Sequence, residues 1–369
     1  MSTHVDPITI PAGGLDEPAH MIDAQGRRSD DPRLARYVAD VTNEELLGLL
    51  RDMVVLRRID AEGVALQRQG QLGLWAPCQG QEAAQIGSAR GLHDDDVVFP
   101  SYRETGVMLA RGANPGDYVR MWRGEEGAAY DPAVLHMAPL QIIIGAQTLH
   151  AVGYALGILH DASDQVAVTY FGDGASSQGD VSEAMVFAAS YRAPVVFICQ
   201  NNHWAISEPV AVQSQHPIAG RAPGFGIPSL RVDGNDVLAC LAATRWAAEQ
   251  ARQGSPAFLE LVTYRMGPHT TADDPTRYRD PAELEYWRGK DPIARLQTLL
   301  RAEGVLTDEV AAMHAAEADE AAMSMRAACL SMTTRAPLAV FDGVYAEPHT
   351  GLAEERRDYE RYLATLAEV

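Results

Sequence analysis

Short apolar runs rich in β-branched and aromatic residues punctuate the chain: Val97-Val-Phe99, Val166-Ala-Val-Thr-Tyr-Phe171, Val195-Val-Phe-Ile-Cys199 and Phe258-Leu-Glu-Leu-Val-Thr-Tyr264. Runs this short, bounded by glycine or polar residues, predict strands. Between them the apolar spacing becomes helical. Leu46, Leu47, Leu50, Val54 and Ile59 follow Thr42-Asn-Glu-Glu45, in which a threonine and a glutamate three residues later predict a capped helix start. Further helices are expected over His150 to His160 and through the Ala-rich stretch to Tyr191, the latter with Asp180 and Glu183 as its capping pair. Beyond Asp291 the pattern is helical, with Thr307 as N-cap of an Ala/Glu/Met-rich helix. Residues 1–40 are rich in Pro, Gly, Asp and Arg without sustained periodicity, which predicts an extended arm. The expected organisation is therefore an arm over 1–40, an α/β domain over 41–300 and a helical region over 301–369. Strands alternating with helices predict a doubly wound, mostly parallel sheet flanked by helices.

Composition narrows the partners more than the fold. The 369 residues are 47% hydrophobic and 22% charged, as in an ordinary globular protein. A net charge of −20 argues against nucleic acid or an anionic membrane surface as partner. Cys78, Cys199, Cys240 and Cys329 are scattered, with no C-x-x-C pair, which fits reduced thiols in a cytoplasmic protein. No apolar stretch in the sequence is long enough to span a bilayer.

The candidate chemistry sits where two of the predicted strands end. The run to Phe171 stops at Gly172-Asp173-Gly174, and the run to Cys199 stops shortly before Asn201-Asn202. Glycines let backbone N–H groups approach an anion closely. Asp173 offers a hard anionic oxygen and Asn202 a neutral carbonyl oxygen, a donor set suited to Mg²⁺ when substrate phosphates complete its shell. Both would lie at the carboxyl ends of parallel strands, where open α/β sheets bind ligands. A lone Gly-Asp-Gly is common loop punctuation; the paired asparagines after the intervening helix and strand are what give it weight.

Together these residues resemble the thiamine-diphosphate signature. Gln141-Ile-Ile-Ile-Gly-Ala-Gln147, Arg231-Val-Asp-Gly-Asn-Asp236 and the stretch Tyr264-Arg-Met-Gly-Pro-His269 through Tyr278 resemble the alpha chain of decarboxylating 2-oxo acid dehydrogenases. The likeness runs from about Met21 to near the C-terminus. It implies a thiamine-diphosphate-binding fold with thiamine diphosphate and Mg²⁺ as cofactors. Asp173, Asn202 and the Trp204 main-chain carbonyl would be the metal ligands. Gly172, Gly174 and Ala175 would serve the diphosphate, the last two through backbone N–H groups at the head of the following helix. Tyr102 and Arg103 would reach the terminal phosphate. The resemblance also puts Ile142 and Ile144 in the cofactor-binding segment, Ile144 as the stiff wedge that bends the cofactor; a plain core role for both is equally compatible with the residues. His269 matches the histidine beside the phosphate and reaction centre, where imidazole titrating near neutrality could donate to phosphate or shuttle a proton.

Departures from the family pattern matter too. Gln200 stands where branched-chain relatives can carry arginine, which removes one phosphate charge contact. Ile142 and Ala146 lack the hydroxyls of the potassium loop of mammalian relatives, so no potassium site is expected. Thr270 and Thr276 occupy the places of regulatory serines in eukaryotic relatives. After Asn202 too little strand-rich sequence follows for a second complete module. The resemblance therefore implies that the acid serving the aminopyrimidine ring lies on a beta chain, in a heterotetramer of two alpha and two beta chains that feeds a lipoyl-bearing acyltransferase core. Arg231 to Val237 and Met21 to Gly26 look like branched-chain enzymes, whereas Leu72 to Pro77, Gly80-Gln-Glu82 and the Gly267-Pro-His-Thr turn look like bacterial pyruvate enzymes. Branched-chain 2-oxo acids are the favoured expectation and pyruvate the alternative. A self-sufficient thiamine enzyme and a non-catalytic α/β scaffold are the rival readings.

Overall fold

The computed structural model describes residues 17–125 and 130–367. The chain falls into two compact units that part between Cys329 and Leu330. In chain order the strands are β1 (Val97–Phe99), β2 (Ala167–Gly172), β3 (Val195–Asn201), β4 (Trp204–Ala205), β5 (Glu208–Pro209), β6 (Ser229–Asp233) and β7 (Ala257–Val262). Five of them form one sheet in the order β1-β2-β3-β7-β6, every neighbouring pair parallel. The doubly wound parallel sheet expected from the alternation is what the chain forms. β4 and β5 make a small antiparallel hairpin of their own.

The predicted runs at Val97, Val166, Val195 and Phe258 are β1, β2, β3 and β7, within a residue or two at their ends. β6 escaped that reading. It is an edge strand whose Arg231 and Asp233 are only half-buried, so its apolar run is interrupted.

Two layers of helix cover the sheet. On one face, helices Ala146–Asp161 and Gly179–Tyr191 pack alanines (Ala151, Ala155, Ala184, Ala188) against Phe171, Phe197 and Phe258. Small residues let those helices lie close to the sheet, so its aromatic side chains fill the space between. Helix Val237–Arg252 packs on β3, β6 and β7, and helix Glu82–Arg90 packs on that helix. Their contact is flush at Gly87, where a Cβ would come within 2.5 Å of the Val237 carbonyl. From β2, the Tyr170 hydroxyl donates to Ser88 Oγ at 3.0 Å.

Helix starts agree with the sequence where a side chain caps them. Thr42 and Glu45 form the reciprocal capping box that opens the helix Asn43–Arg68. Its buried stripe is Leu46, Leu49, Leu50, Met53, Leu56 and Ile59, with Leu47 and Val54 half-buried at its margin. Thr307 Oγ1 accepts the Val310 N–H at 3.3 Å ahead of Asp308–Ser331, as an N-cap does. Asp180 and Glu183 do not cap their helix. It opens at Gly179 after Gln178, with no side-chain cap, and Asp180 lies inside the first turn, where its charge suits the helix dipole. The helix expected from His150 begins one turn earlier, at Ala146.

Residues 1–16 of the expected arm lie outside the described residues. From residue 17 to 40 the arm packs on its own chain. Ala19 bridges to Val232, and the N–H groups of Met21 and Ile22 both donate to Asp236 Oδ2 at 2.6 Å. Asp236 Oδ1 caps the helix Val237–Arg252 through the N–H groups of Leu238 and Ala239 at 3.0 Å. One carboxylate thus ties the arm to a helix start. The second unit, taken by itself, holds a 3-10 turn at Pro337–Phe341 and the helix Thr350–Ala367, and none of its described residues is buried.

Candidate active site

The carboxyl ends of β1, β2, β3 and β7 open into one cavity of about 260 Å³. Its lining brings together Tyr102 and Arg103 after β1, Gly172 to Ala175 at the end of β2, Asn202 and Trp204 after β3, and His269 after β7, with Ile144 at its edge. Ile142 is the exception. It does not line the cavity and is 63% exposed, as Ile143 is 71% exposed, so neither is a core residue either.

At the end of β2 the backbone does not run straight into a helix. Asp173–Ser177 is a 3-10 turn and the α-helix begins at Gly179, so Gly174 and Ala175 sit in a tight turn instead of at a helix head. Gly174 has no room for a side chain: a Cβ there would lie 2.7 Å from Ala205 Cβ. Asp173 is 1% exposed. Its Oδ1 accepts the Asn202 N–H at 3.3 Å and its Oδ2 faces Gln213 Nε2 at 3.4 Å, both long. Among the described residues no cation lies within ion-pair distance of it. Burial carries its pKa up to about 6, against smaller opposing effects from N–H groups and the more distant Arg265 and Arg103. A buried carboxylate with two weak hydrogen bonds and no countercharge is a group that a bound cation would relieve.

Asn202 is held at both ends. Its Nδ2 donates to Gln81 Oε1 at 3.2 Å, and its Oδ1 accepts the Trp204 N–H at 3.2 Å. The neighbouring Asn201 works in the frame, donating to Glu260 Oε1 at 2.7 Å and accepting the His203 N–H. The chain then bends through two non-glycine residues in the left-handed region, His203 (φ 71°) and Ile206 (φ 58°). Such backbone is retained where surrounding structure fixes it. Here Arg265 does so, donating from Nη1 to the Trp204 carbonyl at 3.1 Å and from Nη2 to the Ile206 carbonyl at 2.6 Å and the Tyr278 hydroxyl at 3.0 Å. The Trp204 carbonyl therefore already serves a guanidinium, leaving one lone pair for any further partner.

Arg103 is likewise committed. Nη1 donates to the Pro77 carbonyl at 2.6 Å, and Nη2 lies 2.9 Å from the His269 carbonyl and 3.1 Å from His269 Nδ1. Arg265 Nη1 is 3.4 Å from the same Nδ1. Guanidinium groups only donate, so Nδ1 must accept and the ring proton belongs on Nε2. Burial, with Arg103 and Arg265 adding repulsion, lowers the His269 pKa to about 3. Expected beside the phosphate as an imidazole titrating near neutrality, His269 lines the cavity as a half-buried ring held neutral. Its backbone N–H donates to Asp273 Oδ2 at 2.7 Å, and Tyr102 packs edge-on against its ring at 6.1 Å.

Gln81, Glu104, Arg265, Asp273 and Tyr278 complete the surroundings and were not singled out from the sequence. Gly80-Gln81-Glu82 carried a signal in its glycine, which has φ +97° and lies against the Tyr264 carbonyl. Arg265 carried none, because a charged residue after a strand reads as surface until its partners are known.

The sequence has known relatives. Residues 51–328 match the dehydrogenase E1 component family. The 3-methyl-2-oxobutanoate dehydrogenase subunit alpha of Mycobacterium tuberculosis is 45% identical over 350 residues, 94% of this chain and 95% of that one. The pyruvate dehydrogenase E1 component subunit alpha of Staphylococcus epidermidis is 42% identical over 276 residues, 74% of each chain, and that of Staphylococcus aureus is 41% identical over the same length. The chain belongs to the dehydrogenase E1 component family, whose members are thiamine-diphosphate-dependent oxidoreductases.

Proposed function

We propose that this chain is the alpha subunit of a branched-chain 2-oxo acid dehydrogenase, catalysing oxidative decarboxylation with acyl transfer to lipoyl groups of an acyltransferase core. The observation that carries it is Asp173, a buried carboxylate without a countercharge at the cavity where four parallel strands end. The likeness to the mycobacterial 3-methyl-2-oxobutanoate enzyme over 94% of the chain supports the branched-chain substrate. The likeness to the staphylococcal pyruvate dehydrogenase alpha subunits over 74% of the chain supports pyruvate as the second reading.

In this reading Asp173, Asn202 and the Trp204 carbonyl would hold Mg²⁺. Gly174 and Ala175 would offer backbone N–H groups to the diphosphate, and Tyr102 and Arg103 would serve its terminal phosphate. Ile144 provides the apolar wedge. His269 donates its Nε2–H and stays neutral, which positions a phosphate or substrate oxygen without taking up a proton. Thiamine diphosphate, when bound, supplies the electron sink that lets the 2-oxo acid lose CO₂. The site is shared with a beta subunit in an assembly of two alpha and two beta chains. Among the described residues no helix is long and apolar enough to cross a membrane, and all four cysteines are unpaired and buried, which supports a cytoplasmic location.

The test is ferricyanide reduction by this chain co-purified with its beta partner, using 2-oxoisovalerate, 4-methyl-2-oxopentanoate and pyruvate, with cofactor and Mg²⁺ present or omitted. Turnover that needs both, with the highest kcat/KM on a branched substrate, is expected. A higher value on pyruvate would install the second reading. Since one methylene in an apolar pocket is worth about 1–3 kcal/mol, measurable activity on both is compatible with either ranking. No turnover from a cofactor-loaded assembly would leave a scaffold.

A further inference from the structure

In the small hairpin Ala205 of β4 pairs with Glu208 of β5, so Ile206 and Ser207 form a two-residue turn between them. Positive φ falls on Ile206, at 58°, and not on Ser207. A hairpin turn whose first residue has positive φ is a place for glycine, and β-branched isoleucine is among the side chains least suited to it. Burial does not offset that cost, for Ile206 is 58% exposed. The turn is fixed through its backbone, where Arg265 Nη2 donates to the Ile206 carbonyl at 2.6 Å. Any residue offers that carbonyl, so folding alone gives no reason for an isoleucine here.

What the side chain faces supplies the reason. Ile206 lines the cavity, and of the large apolar side chains on that lining only Ile206 and Ile144 are exposed. Ala205 lies against Gly174, which sets Ile206 one residue beyond the turn that follows β2. Ile144 already has the wedge role in the reading above, which leaves Ile206 as the aliphatic surface open to a substrate. Strained residues of this kind persist at ligand-binding sites, where the side chain they present is needed. A branched 2-oxo acid differs from pyruvate only in its alkyl carbons, so an aliphatic wall is the feature that can tell the two apart.

We propose that Ile206 is a specificity-determining residue: the turn holds its side chain, at a cost in backbone strain, as the wall against which the alkyl group of a branched 2-oxo acid packs. Pyruvate, with a single methyl group, gains least from that wall. The proposal rests on the 2-oxo acid dehydrogenase reading and names the side chain that selects the substrate within it. Stability and selectivity oppose each other at this position. Glycine suits the backbone and removes the wall, whereas alanine removes the wall and keeps the strain.

The experiment compares the parent with Ile206→Gly and Ile206→Ala, each co-purified with the beta partner. With thiamine diphosphate and Mg²⁺ bound, the ratio of kcat/KM on 2-oxoisovalerate to kcat/KM on pyruvate should fall by about tenfold or more in both variants, the scale on which an aliphatic contact discriminates. Calorimetric titration of the cofactor into the stripped complexes should give one dissociation constant for all three. Urea unfolding of the stripped complexes should place the midpoint of Ile206→Gly above that of Ile206→Ala, since only glycine relieves the turn. An unchanged substrate ratio would overturn the assignment. So would weakened cofactor affinity with every substrate slowed alike, which would make Ile206 a cofactor contact, and so would loss of the beta chain from both variants, which would place it in the subunit interface. An alanine midpoint equal to or above the glycine one would overturn the strained wall. A parent complex without cofactor-dependent turnover on any 2-oxo acid would overturn the enzymatic reading itself.

Discussion

The cavity has two ends built on different principles. At the β2 and β3 end the residues that face it lie within a few positions of a strand terminus: Asp173, Gly174 and Asn202. Their placement follows from strand pairing, which puts Gly172 opposite Gln200 in register. At the β7 end the chain has left the sheet, and its path is set by side chains. Arg265 spans the Trp204 and Ile206 carbonyls and Tyr278, Asp273 receives the His269 N–H and the Tyr278 hydroxyl, and Arg103 grips His269 from across the cavity. The first end is placed by the sheet, because each of its residues follows a strand end by one or two positions. The second is held by hydrogen bonds to charged groups, worth about 1.5–3 kcal/mol each and lost together if the guanidinium goes.

That contrast is breakable, and the largest effect should come from the sheet end. Asp173→Ala should leave assembly with the beta chain intact while weakening Mg²⁺-dependent cofactor binding by about 100-fold or more, since loss of even outer-sphere partners costs roughly 10–100-fold. Unchanged activity would remove the metal assignment. Next, Arg265→Met should leave the sheet folded but release the β7 loop, leaving two carbonyls without their donor. Limited proteolysis within residues 267–280 should speed up by about tenfold or more, with Arg265→Lys recovering only part because it lacks the planar fork. An unaltered cleavage rate would mean that the loop is held by something else.

A smaller effect concerns pH. The folded-state pKa of His269 is lowered to about 3, below its ordinary value of 6.5, so the folded chain holds fewer protons than the unfolded one between those limits. Stability from this group is therefore highest above about pH 6.5 and declines as pH falls from there toward 3. His269→Asn should lose less Tm than the parent on going from about pH 7 to about pH 5. Identical slopes would show that His269 does not titrate differently on folding. The smallest effect lies away from the cavity: Thr42→Ala, which breaks the capping box, should cost about 1 kcal/mol of stability in denaturant unfolding and leave cofactor affinity unchanged.

How much of this could be read in advance follows the same division. β1, β2, β3 and β7 announce themselves as apolar runs because nearly all their residues are buried under the helices, edge strand β1 included, while β6 at the other edge has half-buried Arg231 and Asp233. The capping box at Thr42 was legible because both partners lie within one turn. Asp180 was misread as a cap because a favourable residue inside the first turn looks the same in sequence as one just before it. Asp173 and Asn202 were legible through their distance from strand ends. Arg265 was not, for its partners lie 13, 59 and 61 positions away. His269 lines the cavity, yet its titration was not legible, since two guanidiniums and partial burial reverse what a loop histidine ordinarily does.

By itself, then, the sequence determined the parallel sheet, the order in which strands and helices follow one another, and the two residues that end strands at the cavity. These are consequences of apolar periodicity and of residue types acting over a few positions. Only the tertiary structure decided which guanidinium holds which carbonyl, which histidine nitrogen carries the proton, that Ile142 stays outside the cavity, and that Ile206 lines it from a left-handed turn. Those outcomes depend on burial and on partners brought together by strand crossover, and electrostatic free energy is set by that surrounding medium as much as by the residue itself.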